Sequence, residues 1–147
     1  MPPLTKAEVN RFLPHAGSMC LIDEVTEWDR STIVCRAASH RDPGNPLRRD
    51  DRLGVVAALE YAAQAMGVHA GLVAGERSAD DRIGYVGAVR DVTLHVERLD
   101  DLPNGLAIEA TRLVEGSDSF MYRFAVTSGL QAVISGRASI FLKQAAN

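Results

Sequence analysis

The stretch of sequence that decides the fold is LGVVAALEYAAQAMGVHAGLV, which runs from Leu53 to Val73. It is rich in alanine and contains no proline, a composition that favours an α-helix. Its apolar residues fall on every side of that helix, and such a helix is stable only when other parts of the chain surround it. We therefore predict one long buried helix at the centre of the molecule.

A second, shorter helix is predicted near the start of the chain. Residues Thr5 to Leu13 begin with a threonine, carry Glu8 three residues later and are followed by Pro14. Threonine and glutamate at this spacing form a capping box, and proline ends a helix. The segment therefore predicts a small N-terminal helix.

Six other segments have the apolar and β-branched composition of strands. The first two are joined through Asp29-Arg30 and predict a hairpin, and the other four follow the central helix with turn residues between them. The stretch from Ser39 to Asp51 contains several prolines and a glycine and is predicted to be a loop. The predicted strands are Met19 to Trp28, Ser31 to Ala38, Arg82 to Val96, Leu106 to Val114, Phe120 to Ser128 and Gln131 to Leu142.

This order of elements predicts an α+β fold in which one curved antiparallel sheet wraps around the long helix. That architecture is the hot-dog fold. Such a sheet has an open edge and leaves part of the helix uncovered, so we also predict dimerisation through edge pairing and helix contact.

Composition and charge limit the classes of protein to which the chain can belong. The 147 residues are 46% hydrophobic and 24% charged, as in ordinary globular domains, and we expect a single domain over residues 1–147. No apolar run is long enough to span a membrane, and the first ten residues do not resemble a signal peptide. We therefore expect a cytoplasmic protein without a membrane partner. The net charge of −3 argues against a nucleic-acid partner.

The spacing of cysteine and histidine argues against a metal site. Cys20 and Cys35 form no CxxC pair, and the four histidines have no HExxH spacing. Both cysteines are interpreted as reduced core residues. The sequence also lacks the GxSxG, GxGxxG and Walker signatures of common nucleophile and nucleotide sites.

Glu60 is the one acidic residue inside the predicted buried helix. Burial of an unpaired carboxylate costs several kcal/mol, so we expect Glu60 either to hold a proton or to have a dedicated partner. Gln64 and Gly67 lie on the same side of the helix and predict a polar and then smooth face that bounds a narrow channel. The alternative is that this rim of the helix reaches water and Glu60 only solvates it.

His40 is the candidate partner of Glu60. It lies at the end of a predicted strand, and a proline-stiffened loop leads from it back to the helix that carries Glu60. An imidazole near neutral pKa and a carboxyl that holds its proton form an acid and base pair. The alternative is an idle histidine exposed to solvent.

These residues resemble a known family. His40-x-x-Pro43-Gly44-x-Pro46, followed by Leu59-Glu60-x-x-x-Gln64-Ala65, is similar to the motifs of the hot-dog 3-hydroxyacyl-(acyl carrier protein) dehydratases. The resemblance extends from Phe12 to Leu142. The loop at residues 40–47 and the Glu-Tyr-Ala-Ala-Gln helix at residues 60–64 are more similar still to the dehydratase-like proteins of aryl polyene biosynthesis.

The resemblance implies an activity and its residues. His40 would be the catalytic base for the C2 proton of a 3-hydroxyacyl thioester, and Glu60 the acid for the C3 hydroxyl, contributed to one site by two protomers. Gln64 would contact substrate, and backbone N–H groups near Gly54 or Val55 would polarise the thioester carbonyl. No metal or cofactor is required, and the product would be a 2-enoyl thioester of fatty acid or aryl polyene synthesis.

The implied partner is an acyl carrier protein, which is acidic and presents a phosphopantetheine phosphate. Basic residues of the loop would dock it: Arg41, Arg48, Arg49 and Arg52. The alternative is an exposed loop of mixed charge. Two other functions stay open at this point: a hot-dog acyl thioesterase, and an inactive structural subunit that completes a dehydratase hetero-oligomer. A homodimer and a hetero-oligomer with another hot-dog subunit are both compatible with the sequence.

Overall fold

The computed structural model of the chain describes residues 2–13, 19–75 and 82–144. Two helices and six strands make up the fold, and all of the elements predicted from the sequence are present. In chain order they are α1 (Lys6–Asn10), β1 (Glu24–Trp28), β2 (Thr32–Ala37), α2 (Ala58–Val73), β3 (Arg82–Leu94), β4 (Leu106–Glu115), β5 (Ser119–Ser128) and β6 (Gln131–Gln144).

The six strands form one antiparallel sheet in the order β1-β2-β4-β5-β6-β3. The strands β4, β5 and β6 follow one another through short turns, whereas β3 crosses over to pair with β6 at one edge. One face of the sheet packs on α2, which contacts β2 to β6. The alternation in β5 shows this clearly, because Tyr122, Phe124 and Val126 are buried and Arg123 and Ala125 are exposed. The predicted hot-dog architecture is confirmed.

Two glycines let the central helix approach the edge strand closely. A Cβ atom at Gly84 of β3 would lie 3.0 Å from the Cα of Gly67 in α2 and 3.4 Å from Cγ2 of Ile140. Contacts of that length are shorter than nearly all real Cβ contacts, so a side chain at Gly84 would push β3 away from the helix. A Cβ at Gly67 would meet nothing closer than 3.9 Å.

The first predicted strand is shorter than expected. It begins at Glu24 rather than Met19, because the segment before it bonds to side chains instead of a neighbouring strand. Gln64 of α2 accepts a hydrogen bond from the N–H of Leu21 and donates one to the carbonyl of Met19, at 2.9 and 2.8 Å. The Lys6 ammonium donates to the carbonyls of Cys20 and Ile22, both at 2.9 Å.

The capping box predicted for α1 is confirmed, with reciprocal bonds between Thr5 and Glu8. Both cysteines are reduced and buried, in agreement with their interpretation as core thiols. None of the helices within the described ranges is long and apolar enough to cross a membrane.

Candidate active site

The loop that follows β2 carries His40, and a buried network holds it in place. The Tyr61 hydroxyl of α2 lies 2.7 Å from the Ser39 hydroxyl, which in turn donates to the carbonyl of Leu21. The Asn45 amide donates both to the Tyr61 hydroxyl at 3.2 Å and to the Ser39 carbonyl at 2.9 Å. Tyr61 is completely buried and Asn45 nearly so. This network ties both ends of the His40 turn to the central helix.

A second contact fixes the His40 ring itself. Its Nε2 lies 3.2 Å from the carbonyl oxygen of Leu102, in the loop between β3 and β4. A carbonyl oxygen can only accept, so Nε2 carries the hydrogen and Nδ1 carries the lone pair. Within the described chain Nδ1 is buried and has no hydrogen-bond partner. Burial lowers the pKa of His40, and this effect outweighs the hydrogen bonds to the Leu102 and Asn104 backbone, which raise it. His40 is therefore a neutral imidazole with one nitrogen free to accept a proton.

Glu60 lies near the start of α2, on the face of the helix that the sheet does not cover. The expectation that Glu60 is buried is wrong for the single chain, where the side chain is exposed. The reason is geometric, since one sheet covers only one side of a helix and the apolar residues on the other side stay at the surface.

A groove runs along this uncovered face on both sides of Glu60. One part, with a volume of about 310 Å³, continues toward Gly67 and the edge strand and is mostly apolar. The other part lies around the start of the helix, where Leu47, Arg49, Gly54 and Val56 form its wall. The apolar part is lined by Phe12, Leu13, Met19, Ala63, Gly67, Gly84, Tyr85 and Val86, together with Gln64. The channel-bounding face predicted for α2 is thus present as an open groove.

Both polar atoms of the Gln64 side-chain amide are hydrogen-bonded to the backbone: Oε1 accepts from the N–H of Leu21, and Nε2 donates to the carbonyl of Met19. Although Gln64 borders the groove, its amide therefore holds the wall of the groove in position. The resemblance implied that Gln64 contacts the substrate, and only the CH₂ groups of its side chain remain available for that contact.

The start of α2 offers one of the two backbone donors that the resemblance implied. The N–H of Val55 donates to the carbonyl of Glu97 at 3.0 Å, so that group is occupied and cannot bind a substrate oxygen. Gly54 is extended and faces Arg98 as a non-hydrogen-bonded pair. Its N–H finds no acceptor among the described residues and lies beside the groove. The free donor is therefore Gly54, not Val55.

An ion pair fixes the segment that contains Gly54. The Asp100 carboxylate accepts the N–H of Leu53 at 2.9 Å and is paired with the Arg98 guanidinium. These contacts hold the pKa of Asp100 well below its usual range, chiefly through the hydrogen bond to Arg98. Leu99 adds a backbone bond of 2.8 Å to the carbonyl of Leu53.

The four arginines of the loop fall into two pairs. The Arg41 guanidinium donates to the carbonyl of Pro103 at 3.1 Å, and that of Arg48 donates to the carbonyl of Asp42 at 3.0 Å. These two arginines brace the loop. Arg49 and Arg52 lie at the ends of a two-residue turn whose backbone bonds are 2.9 and 3.0 Å, and both are exposed. Only this second pair is free to meet an anionic partner.

His40 and Glu60 do not share a pocket within the described part of one chain. His40 faces the loop between β3 and β4, whereas Glu60 faces the groove on the uncovered side of α2. Sequence reasoning missed Tyr61, Asn45 and Asp100, which position the two halves of the site. A signal existed for the first two, because Tyr61 follows Glu60 directly and Asn45 lies inside the motif that begins at His40.

The fold and the site define a hot-dog protein with a histidine-bearing loop and a carboxylate on the central helix. The chain belongs to the ApeP-like family, described as ApeP dehydratase, whose model matches residues 7–147. The resemblance to the hot-dog dehydratases is therefore confirmed.

Solved structures extend this result. The dehydratase heterocomplex ApeI:P from Xenorhabdus doucetiae contains a chain that is 25% identical, with a TM-score of 0.79 over 92% of this chain and 91% of that one. A thioesterase from Haemophilus influenzae matches with a TM-score of 0.67 and 10% identity over 97% of this chain and 93% of its own, which shows a common fold. A search of curated protein sequences matches nothing.

Proposed function

We propose that the protein is a dehydratase subunit that eliminates water from a 3-hydroxyacyl thioester carried on an acyl carrier protein. The observation that carries the proposal is the neutral imidazole of His40, held at Nε2 by the Leu102 carbonyl, in a chain of the ApeP-like dehydratase family. We assign the reaction to fatty acid or aryl polyene synthesis in the cytoplasm.

The elimination needs a base and an acid. Nδ1 of His40, which is buried in the single chain and must be reached by the substrate in the assembly, would accept the C2 proton while the C2–C3 double bond forms and the C3–O bond breaks. Glu60 would give its proton to the departing hydroxyl, which leaves as water. Each of these roles is commonly worth 10²–10⁴ in rate. The N–H of Gly54 would bind the thioester oxygen as negative charge develops there.

The proposal requires a second subunit. Since His40 and Glu60 face different sides of one chain, a partner must bring its own histidine loop to the Glu60 groove. Covering the groove also removes Glu60 from water. The similar chain from Xenorhabdus doucetiae is part of a dehydratase heterocomplex. This supports a partner of different sequence. A homodimer would satisfy the same geometry.

The test is a dehydration assay with 3-hydroxyacyl chains on acyl carrier protein, read by mass spectrometry as loss of one water. It is run on the pure chain and on the chain co-purified with a second hot-dog subunit. In a homodimer we expect His40→Asn and Glu60→Gln each to lower the rate by about 10²-fold or more. In a heterocomplex each change disables one of the two composite sites, and the double variant should show the full loss. The matched controls His95→Asn and Glu109→Gln, which change exposed residues outside the site, should leave the rate unchanged. Unaltered rates in the first pair would contradict the proposal.

A second function is supported by the exposure of Glu60 to the groove. A carboxylate that faces a groove from a helix can also activate water for thioester hydrolysis. In the same assay a thioesterase would release free thiol and no 2-enoyl product.

The third alternative is an inactive subunit. In the heterocomplex the His40 and Glu60 variants of this chain would then leave the rate unchanged, while the corresponding variants of its partner would abolish it.

A further inference from the structure

Three arginines lie side by side on the face of the sheet that is turned away from α2. The strand register pairs Arg123 of β5 with Arg137 of β6, and Arg137 with Arg90 of β3. Directly paired residues point to the same side of a sheet, and all three arginines are exposed. Paired Cα atoms are about 5 Å apart, so the row spans about 10 Å and ends at the open edge of the sheet.

Little negative charge balances this row. Within the described chain the one ion pair of the row joins Arg137 to Asp91 at 4.0 Å, and both of these side chains are half or more exposed. Glu109 of β4 lies diagonally across from Arg123 on the same face and forms no ion pair with it. Like charges placed directly opposite each other destabilise a sheet. In a chain with a net charge of −3, the row is therefore a local basic surface that the fold itself does not need.

Apolar residues lie beside the arginines on the same face. The next row of the register, Ala88, Ser139 and Met121, is uncharged, and a small pit lies between it and the arginines. The following row contains Tyr85 and Phe141, which are paired and remain 44% and 42% exposed. Arginine, tyrosine, phenylalanine and methionine are the side chains that are enriched in protein interfaces.

We propose that this outer patch is a docking surface for an acidic amphipathic helix of a partner protein. The patch consists of Tyr85, Ala88, Arg90, Met121, Arg123, Arg137, Ser139 and Phe141. Except for Tyr85, which also borders the Glu60 groove, the patch faces away from that groove, and the interaction does not depend on the proposed reaction.

The spacing of the arginines favours a helix as the occupant. Residues at positions i, i+4 and i+7 of a helix lie on one face and advance by about 6 and 10.5 Å along the axis. Glutamates at those positions therefore match the three arginines when the helix crosses the strands. An apolar stripe next to the glutamates would then contact Tyr85 and Phe141, and the small residues between the rows allow a close approach.

The test uses two synthetic helical peptides and fluorescence anisotropy. One peptide carries glutamates at i, i+4 and i+7 with leucines on the adjoining stripe, and its twin has lysines in place of the glutamates. We expect the wild-type chain to bind the glutamate peptide about tenfold more tightly than its twin. In R90E/R123E/R137E the preference should reverse, and in R90Q/R123Q/R137Q it should disappear.

The control variant R11E/R30E/R36E makes the same change in charge at exposed arginines outside the patch. It should keep the preference for the glutamate peptide. Equal binding of both peptides by the wild-type chain, or an equal loss of preference in the control variant, would overturn the proposal. Tighter binding of a short DNA duplex than of the glutamate peptide would overturn the choice of occupant. Circular dichroism confirms that each variant is folded, and the neutral variant provides the comparison if the charge-reversed one is not.

Discussion

At the scale of single residues, the fixed imidazole of His40 is the feature on which the chemistry depends. The ring is held through Nε2 by the Leu102 carbonyl, and its loop is held by Tyr61 and Asn45. The sequence predicted His40 and Glu60 as the residues of the proposed chemistry, because histidine and glutamate have few other reasons to lie at those positions, and this assignment stays a prediction. It could not predict which ring nitrogen is free, because that depends on a carbonyl 62 residues away along the chain.

We expect the rate to stay high at mildly acidic pH. A base works only when it is unprotonated, and burial lowers the pKa of His40 below the ordinary value of 6.5. Activity should therefore fall with decreasing pH only below 6.5. The measurement is kcat/KM as a function of pH, which reports on the free enzyme. An acid limb centred at or above 6.5 would contradict this assignment, and His95→Asn should reproduce the wild-type profile.

Tyr61→Phe should destabilise the chain by about 1–2 kcal/mol, because it removes a buried hydroxyl that bonds Ser39 and Asn45. Urea unfolding measures this free energy. The matched control is Tyr85→Phe, whose ring is partly exposed and which should change stability by less than about 0.5 kcal/mol. Equal effects of the two changes would show that the buried network contributes nothing. If the network positions His40, Tyr61→Phe should also lower kcat more than it changes KM.

At the scale of elements, the strands and helices were predictable because composition and periodicity dominate them. Two details were not. The segment at residues 19–22 has strand composition, yet the side chains of Gln64 and Lys6 satisfy its backbone instead of a neighbouring strand. The apolar surface of α2 indicated burial of Glu60, yet hydropathy does not distinguish burial by the same chain from burial by a partner.

The close approach of α2 and β3 leads to a paired prediction. Gly84→Ala should cost about 1–3 kcal/mol, because its Cβ would meet Gly67 at 3.0 Å. In Gly67→Ala the new Cβ would meet nothing closer than 3.9 Å, and alanine has the higher helix propensity. The free energy of unfolding should therefore be unchanged or rise by up to about 1 kcal/mol. Thermal unfolding of both variants compares them. A larger loss in Gly67→Ala would mean that the two elements are not packed in this way.

At the scale of the whole molecule, the open edge of the sheet and the uncovered face of α2 lie on the same side. β3 is the edge strand opposite β1, and Val86, Val89, Val92 and Leu94 on it are 39–50% exposed. An edge that is long and apolar invites pairing with another chain. The sequence predicted this incompleteness from the number of strands available, but it did not reveal whether the second chain is identical.

We expect Val89→Lys to prevent assembly, because Val89 pairs with the buried Ala138 and points to the side of the sheet that carries α2, where a second chain would bury the new charge without a partner. Size-exclusion chromatography with light scattering should give a monomer, while circular dichroism shows a retained sheet. The control is Leu130→Lys, at a fully exposed turn, which should leave the assembly as it is. A wild-type chain that is monomeric with and without a second hot-dog subunit would contradict the interpretation of this edge.

The strand order also has a consequence for how the chain folds. The strands β4, β5 and β6 pair through short turns, whereas β2 must find β4 and β3 must find β6 across long intervening stretches. Local pairings form before distant ones, so the three-stranded meander is the expected nucleus. The His40 loop and the Glu60 helix lie between β2 and β3, the strands that join late. The chemistry of this protein is thus assembled last, on a scaffold that is already in place.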